Sequence, residues 1–216
     1  MATQHRGTVT VGTDGSCLRN PGGPTGWAWV DHAGTWRAGA IATGTNNIGE
    51  LWGILAALRD HPTGPLTIQT DSQYALTCIT NSQKWAKAGW VLRDGSLVAN
   101  KALLVAIRRR IDARDTPPRF EKVPGHDPQE RWPLNTHADK CAHWAAEQAQ
   151  NTGRDEEFSG RIVITKPLAP PADPKPIRQA PATRRQTAFP AGDGRGSLCP
   201  SCNAFIDING DCRCSR

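Results

Sequence analysis

The order of strand-like and helix-like segments in the first 150 residues constrains the fold more than any other feature of this sequence. Three short segments with alternating apolar residues come first, at residues 8–13, 26–31 and 35–41. The turn residues His32-Ala33-Gly34 separate the second segment from the third. Closely spaced strands of this kind predict an antiparallel meander.

Helices and strands alternate after the meander. Apolar residues at helical spacing begin at Ile48, behind the candidate caps Thr45 and Asn46, and end before Pro62. The later segments are a strand at 66–70, a short helix at 72–79, a helix at 103–111, a strand at 119–123 and a helix at 138–149. Strands separated by helices add in parallel to a sheet. We therefore predict an α/β fold with one mixed five-stranded sheet and flanking helices.

The tryptophans are confined to this part of the chain, which predicts three regions. All 8 Trp lie between Trp27 and Trp144. We predict a globular domain over residues 1–153, a basic, Pro-rich linker over 154–192 and a small Cys-rich module over 193–216. The linker is either a solvated tether or an arm that contacts a nucleic acid. Because the sequence has no apolar run long enough to span a bilayer, we expect a cytoplasmic protein without a membrane partner.

Four acidic residues lie at strand ends and in helices from which their side chains could converge on one point. Asp14 and Asp71 directly follow the first and the fourth predicted strands, Glu50 lies in the first helix, and Asp139 opens the last helix. Sites of α/β sheets form at the carboxyl ends of strands. A lone acid more often caps a helix, but a cluster of acids is tolerated where Mg²⁺ or Mn²⁺ neutralises it. Two such ions can activate a water and stabilise the leaving oxygen of a phosphodiester.

The segments around these acids resemble the motifs of type 1 ribonucleases H, in the same order over residues 8–150. They are Thr13-Asp14-Gly15-Ser16-Cys17 followed by Asn20-Pro21-Gly22, Thr45-Asn46-Asn47-x-x-Glu50-Leu51, Thr70-Asp71-Ser72-Gln73-Tyr74, and Gly125-His126 ahead of Asn135-x-x-x-Asp139. Each string is weak by itself, whereas the ordered set is specific. The resemblance implies a ribonuclease H-like fold and an endonuclease that uses two Mg²⁺ ions, or Mn²⁺ in their place. Its substrate would be the RNA strand of RNA–DNA hybrids, and its products would end in 5′-phosphate and 3′-hydroxyl groups.

The resemblance also implies a catalytic role for each matching residue. Asp14 would contact both metal ions, and Asp139 would complete the site that activates the attacking water. Glu50 and Asp71 would complete the site of the leaving group. His126 would assist proton transfer or product release, since an imidazole titrates near neutral pH.

Further positions match residues that contact the hybrid in this family. Those that would read the 2′-hydroxyl groups of RNA are Gly15, Cys17, Asn46, Glu50 and Gln73. Asn20 and Asn135 would contact the hybrid near the cut, and Thr45 would hold a phosphate of the DNA strand. The stretch Lys84-Trp85-Ala86-Lys87 resembles the substrate-binding protrusion of the family. In such a stretch, Lys can bind phosphate and Trp can pack on a sugar or base. The neighbouring Trp90 is expected in the core.

The C-terminal cysteines follow a metal-ligand pattern. Their spacing is C-x₂-C-x₉-C-x-C, formed by Cys199, Cys202, Cys212 and Cys214. This predicts a tetrahedral zinc site with four cysteine ligands, and the metal would supply the folding energy of so short a segment. Disulfides, an iron–sulfur centre and unpaired thiols are the alternatives. Such a module beside a basic linker could bind a nucleic acid or a protein partner.

Two other functions fit parts of the pattern. A non-catalytic hybrid-binding protein could share the fold, but it would not need the four acids. A transposase or junction resolvase of the same superfamily would share the acids, but not the Thr45-Asn46-Asn47 and Gly125-His126 motifs. We therefore expect a magnesium-dependent nuclease that acts as a monomer.

Overall fold

A computed structural model describes residues 7–125 and 127–164 of the chain. Its elements, in chain order, are β1 (Val9–Cys17), β2 (Gly23–Asp31), β3 (Thr35–Gly44), α1 (Asn46–Asp60), β4 (Leu66–Thr70), α2 (Gln73–Lys87), α3 (Lys101–Asp112), β5 (Arg119–Lys122), α4 (Pro133–Thr152) and β6 (Glu156–Arg161). The strands form one sheet in the order β5-β4-β1-β2-β3-β6. The first three strands are an antiparallel meander, and β4 and β5 add in parallel to β1. The predicted α/β class and mixed sheet are confirmed.

A sixth strand shows that the prediction of a five-stranded sheet was wrong. Residues 156–161, which we predicted as linker, form β6 and pair antiparallel with β3. After β6, Ile162 and Ile164 pack against Val30 and Leu134. The folded part of the chain therefore continues past residue 153. The rest of the predicted linker, from residue 165, and the predicted Cys-rich module lie outside the described residues.

Three further boundaries differ from the predictions. The pairing of β1 with β2 continues to Cys17, so Asp14 lies within β1 and does not follow it. The helix α2 continues to Lys87, eight residues beyond the end of the predicted helix at residue 79. The helix α4 begins at Pro133, a residue that suits the first turn of a helix, so Asp139 lies in its second turn.

Capping residues define the starts of α1 and α2. The Thr45 hydroxyl accepts a hydrogen bond from the Ile48 backbone at 3.2 Å, which confirms the predicted cap of α1. The Ser72 hydroxyl caps α2 by accepting from the Ala75 backbone at 3.2 Å. These caps fix the start of α1, close to Glu50, and the start of α2, directly after Asp71.

Alternation along β2 divides the core between the two faces of the sheet. Trp27 and Trp29 pack in the larger cluster, which contains residues of α1, α2 and α3. Ala28 and Val30 pack in two smaller clusters with residues of α4. The predicted core residue Trp90 is 9% exposed and belongs to the larger cluster. Within the described ranges, no helix has both the length and the apolar character that a bilayer crossing requires.

Candidate active site

Two glycines allow α1 and α4 to approach the strand that carries Asp14. A Cβ atom on Gly15 would lie 2.1 Å from the backbone nitrogen of Glu50, in the first half of α1. A Cβ atom on Gly12 would lie 2.3 Å from the backbone carbonyl carbon of Leu134, in the first turn of α4. Only a residue without a side chain permits contacts of this kind. The sequence of β1 therefore brings one helix close to it on each face.

Three carboxylates converge near the C-terminal end of β4. Oxygen atoms of Asp14, Glu50 and Asp71 lie within 4.8 Å of one another. In the parallel pair of β1 and β4, Thr70 lies opposite Thr13, so Asp14 and Asp71 are the next residues of the two strands. Asp139 reaches the same place from α4, where its charge raises the pKa of the Asp14 carboxyl. The structure thus brings together the four acids that the sequence indicated.

The environment of the carboxylate cluster opposes negative charge. Asp14 is 5% exposed, and this burial raises the pKa of its carboxyl well above the usual range. The charges of Glu50, Asp71 and Asp139 raise the pKa of Asp14 further. Burial also raises the pKa of Glu50, the charge of Asp71 adds to this effect, and the charge of Lys122 lowers it. Positive charge bound among these groups would therefore stabilise the ionised form of the cluster.

The donor atoms of the cluster fit a divalent cation. All of them are carboxylate oxygens, which are the ligands that Mg²⁺ and Mn²⁺ prefer. Among the described residues, Oε2 of Glu50 is buried and has no hydrogen-bond partner. A buried acceptor of this kind carries an energetic cost that a metal–ligand bond would remove. Asp71 and Asp139 also line an adjacent pocket with Asp127, Pro128, Glu130, Asn135 and Thr136, so the cluster can be reached from that side.

The end of β5 and the loop after it lie against Asp71. A Cβ atom on Gly125 would lie 2.5 Å from Oδ2 of Asp71. The next residue, the predicted His126, lies outside the described residues. The Nζ atom of Lys122 donates hydrogen bonds to the carbonyl oxygens of Asp71 at 2.6 Å and Val123 at 2.9 Å. Lys122 was not among the predicted site residues, although its place at the end of a predicted strand was an available signal.

Several predicted substrate contacts lie where β1 and the β1–β2 turn meet the start of α1. The Sγ atom of Cys17 donates to the carbonyl oxygens of Gly23 and Gly44, both at 3.7 Å. The Oδ1 atom of Asn20 accepts a hydrogen bond from the backbone of Asn46 at 3.2 Å. Thr45 caps the same helix, so these residues and the Gly15 backbone surround its N-terminal turn.

The other predicted contacts lie on α2 and α4. Gln73 is the first residue of α2, directly beyond Ser72, and its Nε2 donates to the Thr77 hydroxyl at 3.3 Å. Lys84 and Lys87 are exposed near the end of this helix, whereas Trp85 is half-buried against the core. At 1.5 Å per residue, these lysines lie roughly 16–21 Å along the helix axis from Gln73. They form a surface separate from the carboxylate cluster.

Asn135 is predominantly a contact between α4 and β1 in this structure. It is 5% exposed, and its Nδ2 donates to the carbonyl oxygen of Thr13 at 3.1 Å. Because Thr13 precedes Asp14 and Asn135 lies one helical turn before Asp139, this bond holds the two acids in register. Its amide also lines the pocket beside the cluster.

Known proteins with similar sequences are ribonucleases H. The family model described as RNase H matches residues 6–147, a range that includes the four acids. Ribonuclease HI of Streptomyces coelicolor is 38% identical over 150 residues, which are 65% of this chain and 62% of that protein. The match therefore spans less than two thirds of the Streptomyces protein. Ribonuclease H of Tropheryma whipplei is 36% identical over 142 residues, which are 64% of this chain and 84% of that protein.

A solved structure shares the fold. LC9-RNase H1, a type 1 RNase H with the type 2 active-site motif, aligns with a TM-score of 0.54 and 24% sequence identity. The alignment covers 70% of this chain and 77% of the other. Since the family model matches well over half of the sequence and its range includes the whole carboxylate cluster, the chain belongs to the RNase H family.

Proposed function

We propose that this chain is an endonuclease that hydrolyses the RNA strand of RNA–DNA hybrids and leaves 5′-phosphate and 3′-hydroxyl ends. The observation that carries the proposal is the convergence of Asp14, Glu50 and Asp71 to within 4.8 Å in a member of the RNase H family. Mg²⁺ is the expected ion, and Mn²⁺ would substitute for it because both are hard cations that take oxygen ligands.

The carboxylate cluster would hold two metal ions. Asp14, Glu50, Asp71 and Asp139 are the ligands, and the bound ions supply positive charge that activates water and stabilises the leaving oxygen. The hydrogen bond of Asn135 to Thr13 holds the acids of β1 and α4 in register. His126 directly follows Gly125 in the sequence, and its imidazole would accept or deliver a proton.

The residues around the carboxylate cluster support selection of RNA. Gly15 and Cys17 follow Asp14 on the same strand, and Asn46 and Gln73 are the first residues of α1 and α2. Backbone groups and short polar side chains can read the 2′-hydroxyl, which donates and accepts hydrogen bonds. With Glu50, these residues form the proposed contacts to the RNA strand, and Asn20 and Asn135 lie beside them.

Two further places fit phosphates of the DNA strand. Thr45 lies at the N-terminus of α1, and the N-terminus of a helix favours anions. Lys84 and Lys87 are exposed near the end of α2, where they could bind phosphates farther along the duplex. Trp85 lies between them and is only partly buried, so its exposed part is available to pack on a sugar.

The substrate assignment predicts a sharp preference for the hybrid duplex. With Mg²⁺, the full chain should cut the RNA strand of a labelled RNA–DNA hybrid and leave an all-DNA duplex intact, because the DNA has no 2′-hydroxyl groups to be read. Gel analysis of end-labelled strands measures both rates, with single-stranded RNA and double-stranded RNA as controls. Comparable rates on the hybrid and on the DNA duplex would place the chain in another nuclease class.

We also propose that residues 193–216 bind one zinc ion through Cys199, Cys202, Cys212 and Cys214. The proposal rests on the spacing of these cysteines, which lie outside the described residues. The basic residues ahead of them would add phosphate contacts. A monomeric state and a cytoplasmic location also stay predictions of the sequence, and a protein partner is the alternative role for the module.

Truncation after residue 164 tests the role of the C-terminal segment. This end point keeps β6 in the sheet and keeps Ile164, which packs against the core, so turnover at saturating hybrid should be retained. KM should rise, mainly at higher salt, because the removed basic residues act through phosphate contacts and counterion release. Metal analysis should find about one zinc per full chain and none in the truncated one.

A double variant separates the metal from the basic residues. Cys199→Ser with Cys202→Ser removes two zinc ligands and keeps the linker. This variant should lose the zinc, and its KM should rise less than that of the truncated chain. An unchanged KM after truncation would make a protein partner the better explanation of the segment. Full chain purified under reducing conditions without chelator and found free of zinc would show that the proposed zinc site is wrong.

A further inference from the structure

We propose that Lys122 is a built-in counter-cation of the carboxylate cluster, a positioning residue that keeps Glu50 and Asp71 assembled before any metal binds. The inference rests on the proposed function in one respect, which is that the cluster is a metal site. It adds a residue that the family motifs in this sequence do not include. Its consequence is that the site without metal is already partly neutralised, and an incoming divalent cation meets a positive charge beside its ligands.

The pairing of β5 with β4 fixes the position of the Lys122 backbone. Lys122 lies opposite Thr70 in the parallel pair, and the backbone of Val123 donates to the carbonyl oxygen of Thr70 at 3.0 Å. Lys122 is therefore held beside Thr70, the residue before Asp71. Two residues earlier on the same face of β5, Phe120 packs against the larger core cluster, which contains the apolar residues of α1. The side chain of Lys122 accordingly starts on the face of the sheet that α1 covers.

The hydrogen bonds of Lys122 hold its charge at the end of β4. Its ammonium group donates to the carbonyl oxygens of Asp71 at 2.6 Å and Val123 at 2.9 Å. Both partners are neutral, so neither cancels the charge. An ammonium group has three donors, which leaves one proton beyond these two bonds. The exposed side chain is thus fastened to the backbone of one carboxylate residue, and neither of its partners carries a charge.

The charge of Lys122 lies near the carboxylate cluster, in which Glu50 lacks a full set of hydrogen-bond partners. Oε2 of Glu50 is buried and has no hydrogen-bond partner among the described residues. Oxygen atoms of Glu50 and Asp71 lie within 4.8 Å of each other, and the ammonium group of Lys122 is bonded to the backbone of Asp71. A positive charge held at this place favours the assembled carboxylate cluster. The same charge repels a divalent cation that binds there.

The charge of Lys122 thus stabilises the cluster without metal but weakens the binding of a metal ion. These opposite effects distinguish a counter-cation from a residue that acts only through its hydrogen bonds. If Lys122 acted only by fastening β5 to Asp71, its loss would disorder a ligand and weaken metal binding. If it acts through its charge, its loss destabilises the protein without metal and strengthens metal binding. Replacement by Met tests this directly, because Met keeps much of the apolar stem and removes the ammonium group.

The experiment uses the full chain and two measurements that need no substrate. In chelator, the thermal midpoint of Lys122→Met should fall by a few degrees, since the carboxylates lose a compensating charge. In calorimetric titration with Mn²⁺ alone, Lys122→Met should bind roughly three- to tenfold more tightly than the parent, because the competing charge is gone. Lys122→Arg retains a cation and should remain close to the parent in both measurements.

A matched control and a second variant complete the design. Arg154→Met removes a positive charge just before β6, at the other edge of the sheet, and should change neither measurement. Lys122→Gln keeps a hydrogen-bond donor without the charge, so it should bind Mn²⁺ as tightly as Lys122→Met and serves if the Met variant folds poorly. Unchanged or weaker Mn²⁺ binding in the uncharged variants would overturn the proposal. Absence of hybrid cleavage by the parent would contradict the proposed function and would leave these binding measurements valid.

Discussion

Asp14→Asn is expected to lower Mg²⁺-dependent hybrid cleavage by roughly 10³-fold or more, the largest catalytic loss among single substitutions in this chain. An amide has nearly the same shape as a carboxylate but carries no negative charge, so it is a poor ligand for a hard cation. Because burial and the charges of Glu50 and Asp71 raise the pKa of Asp14, the ionised side chain is unfavourable in the folded protein without metal. The variant should therefore unfold at a higher temperature than the parent in chelator.

Two measurements check this result together. Single-turnover cleavage at fixed Mg²⁺ reports the catalytic loss, and thermal unfolding with and without Mg²⁺ reports the electrostatic effect. Asp115→Asn removes an exposed acid outside the carboxylate cluster and should match the parent in both. Substantial Mg²⁺-dependent activity in Asp14→Asn would refute the site assignment. A lower unfolding temperature in chelator would refute the electrostatic account of the cluster.

Gly15→Ala is expected to lower stability strongly, with a cost of about 3 kcal/mol or more, and to reduce kcat by roughly 10²-fold. Its Cβ atom would lie 2.1 Å from the backbone nitrogen of Glu50 and 2.3 Å from the backbone carbonyl carbon of Gly49. These atoms belong to the helix backbone and cannot move aside as a flexible side chain would. The first half of α1 must therefore shift away from β1 and carry Glu50 away from Asp14.

Denaturant unfolding and steady-state kinetics measure the two effects of Gly15→Ala. Gly7→Ala is the matched control, because a Cβ atom on Gly7 meets no atom within 4 Å. This control should unfold and cleave as the parent does. Normal stability and activity of Gly15→Ala would mean that β1 and α1 do not approach as closely as the structure has them.

The positions of the four acids were predictable because each is surrounded by a motif, and the motifs come in a characteristic order. The role of Lys122 was not, since it depends on the convergence of β5, β4 and α1, which are far apart in the sequence. The sequence placed Asp14 after a strand because the residues behind it are small and polar. In the structure their backbones pair with β2, and this pairing continues to Cys17.

The length of α2 illustrates why polar composition misled the prediction of a helix. Asn81 and Ser82 look like the start of a loop. In the structure the Nδ2 atom of Asn81 donates to the carbonyl oxygen of Thr77 at 2.8 Å, and the Ser82 hydroxyl donates to that of Ile79 at 2.6 Å. The helix backbone thus satisfies both side chains, and α2 continues to Lys87. Bonds of this kind have no signature in hydrophobic periodicity.

The sixth strand escaped prediction for a related reason. In β6, only Glu156 and Phe158 are even half-buried, so the segment shows no clear apolar alternation. Its place in the sheet depends on backbone pairing with β3 and on the ion pair at 2.8 Å between Arg37 and Glu157. Both depend on a partner about 120 residues earlier in the chain, which a local pattern cannot reveal.

The same separation has a consequence for synthesis on the ribosome. The strand β3 emerges early, whereas the strand that covers its free edge is made about 120 residues later. Until then the nascent chain exposes a row of unpaired backbone groups, which is the kind of edge that recruits other chains. Domains begin to fold while the remainder is still being translated. The carboxylate cluster can therefore assemble on a sheet in which β3 is still an open edge, and the emergence of residues 156–161 is the event that pairs this edge.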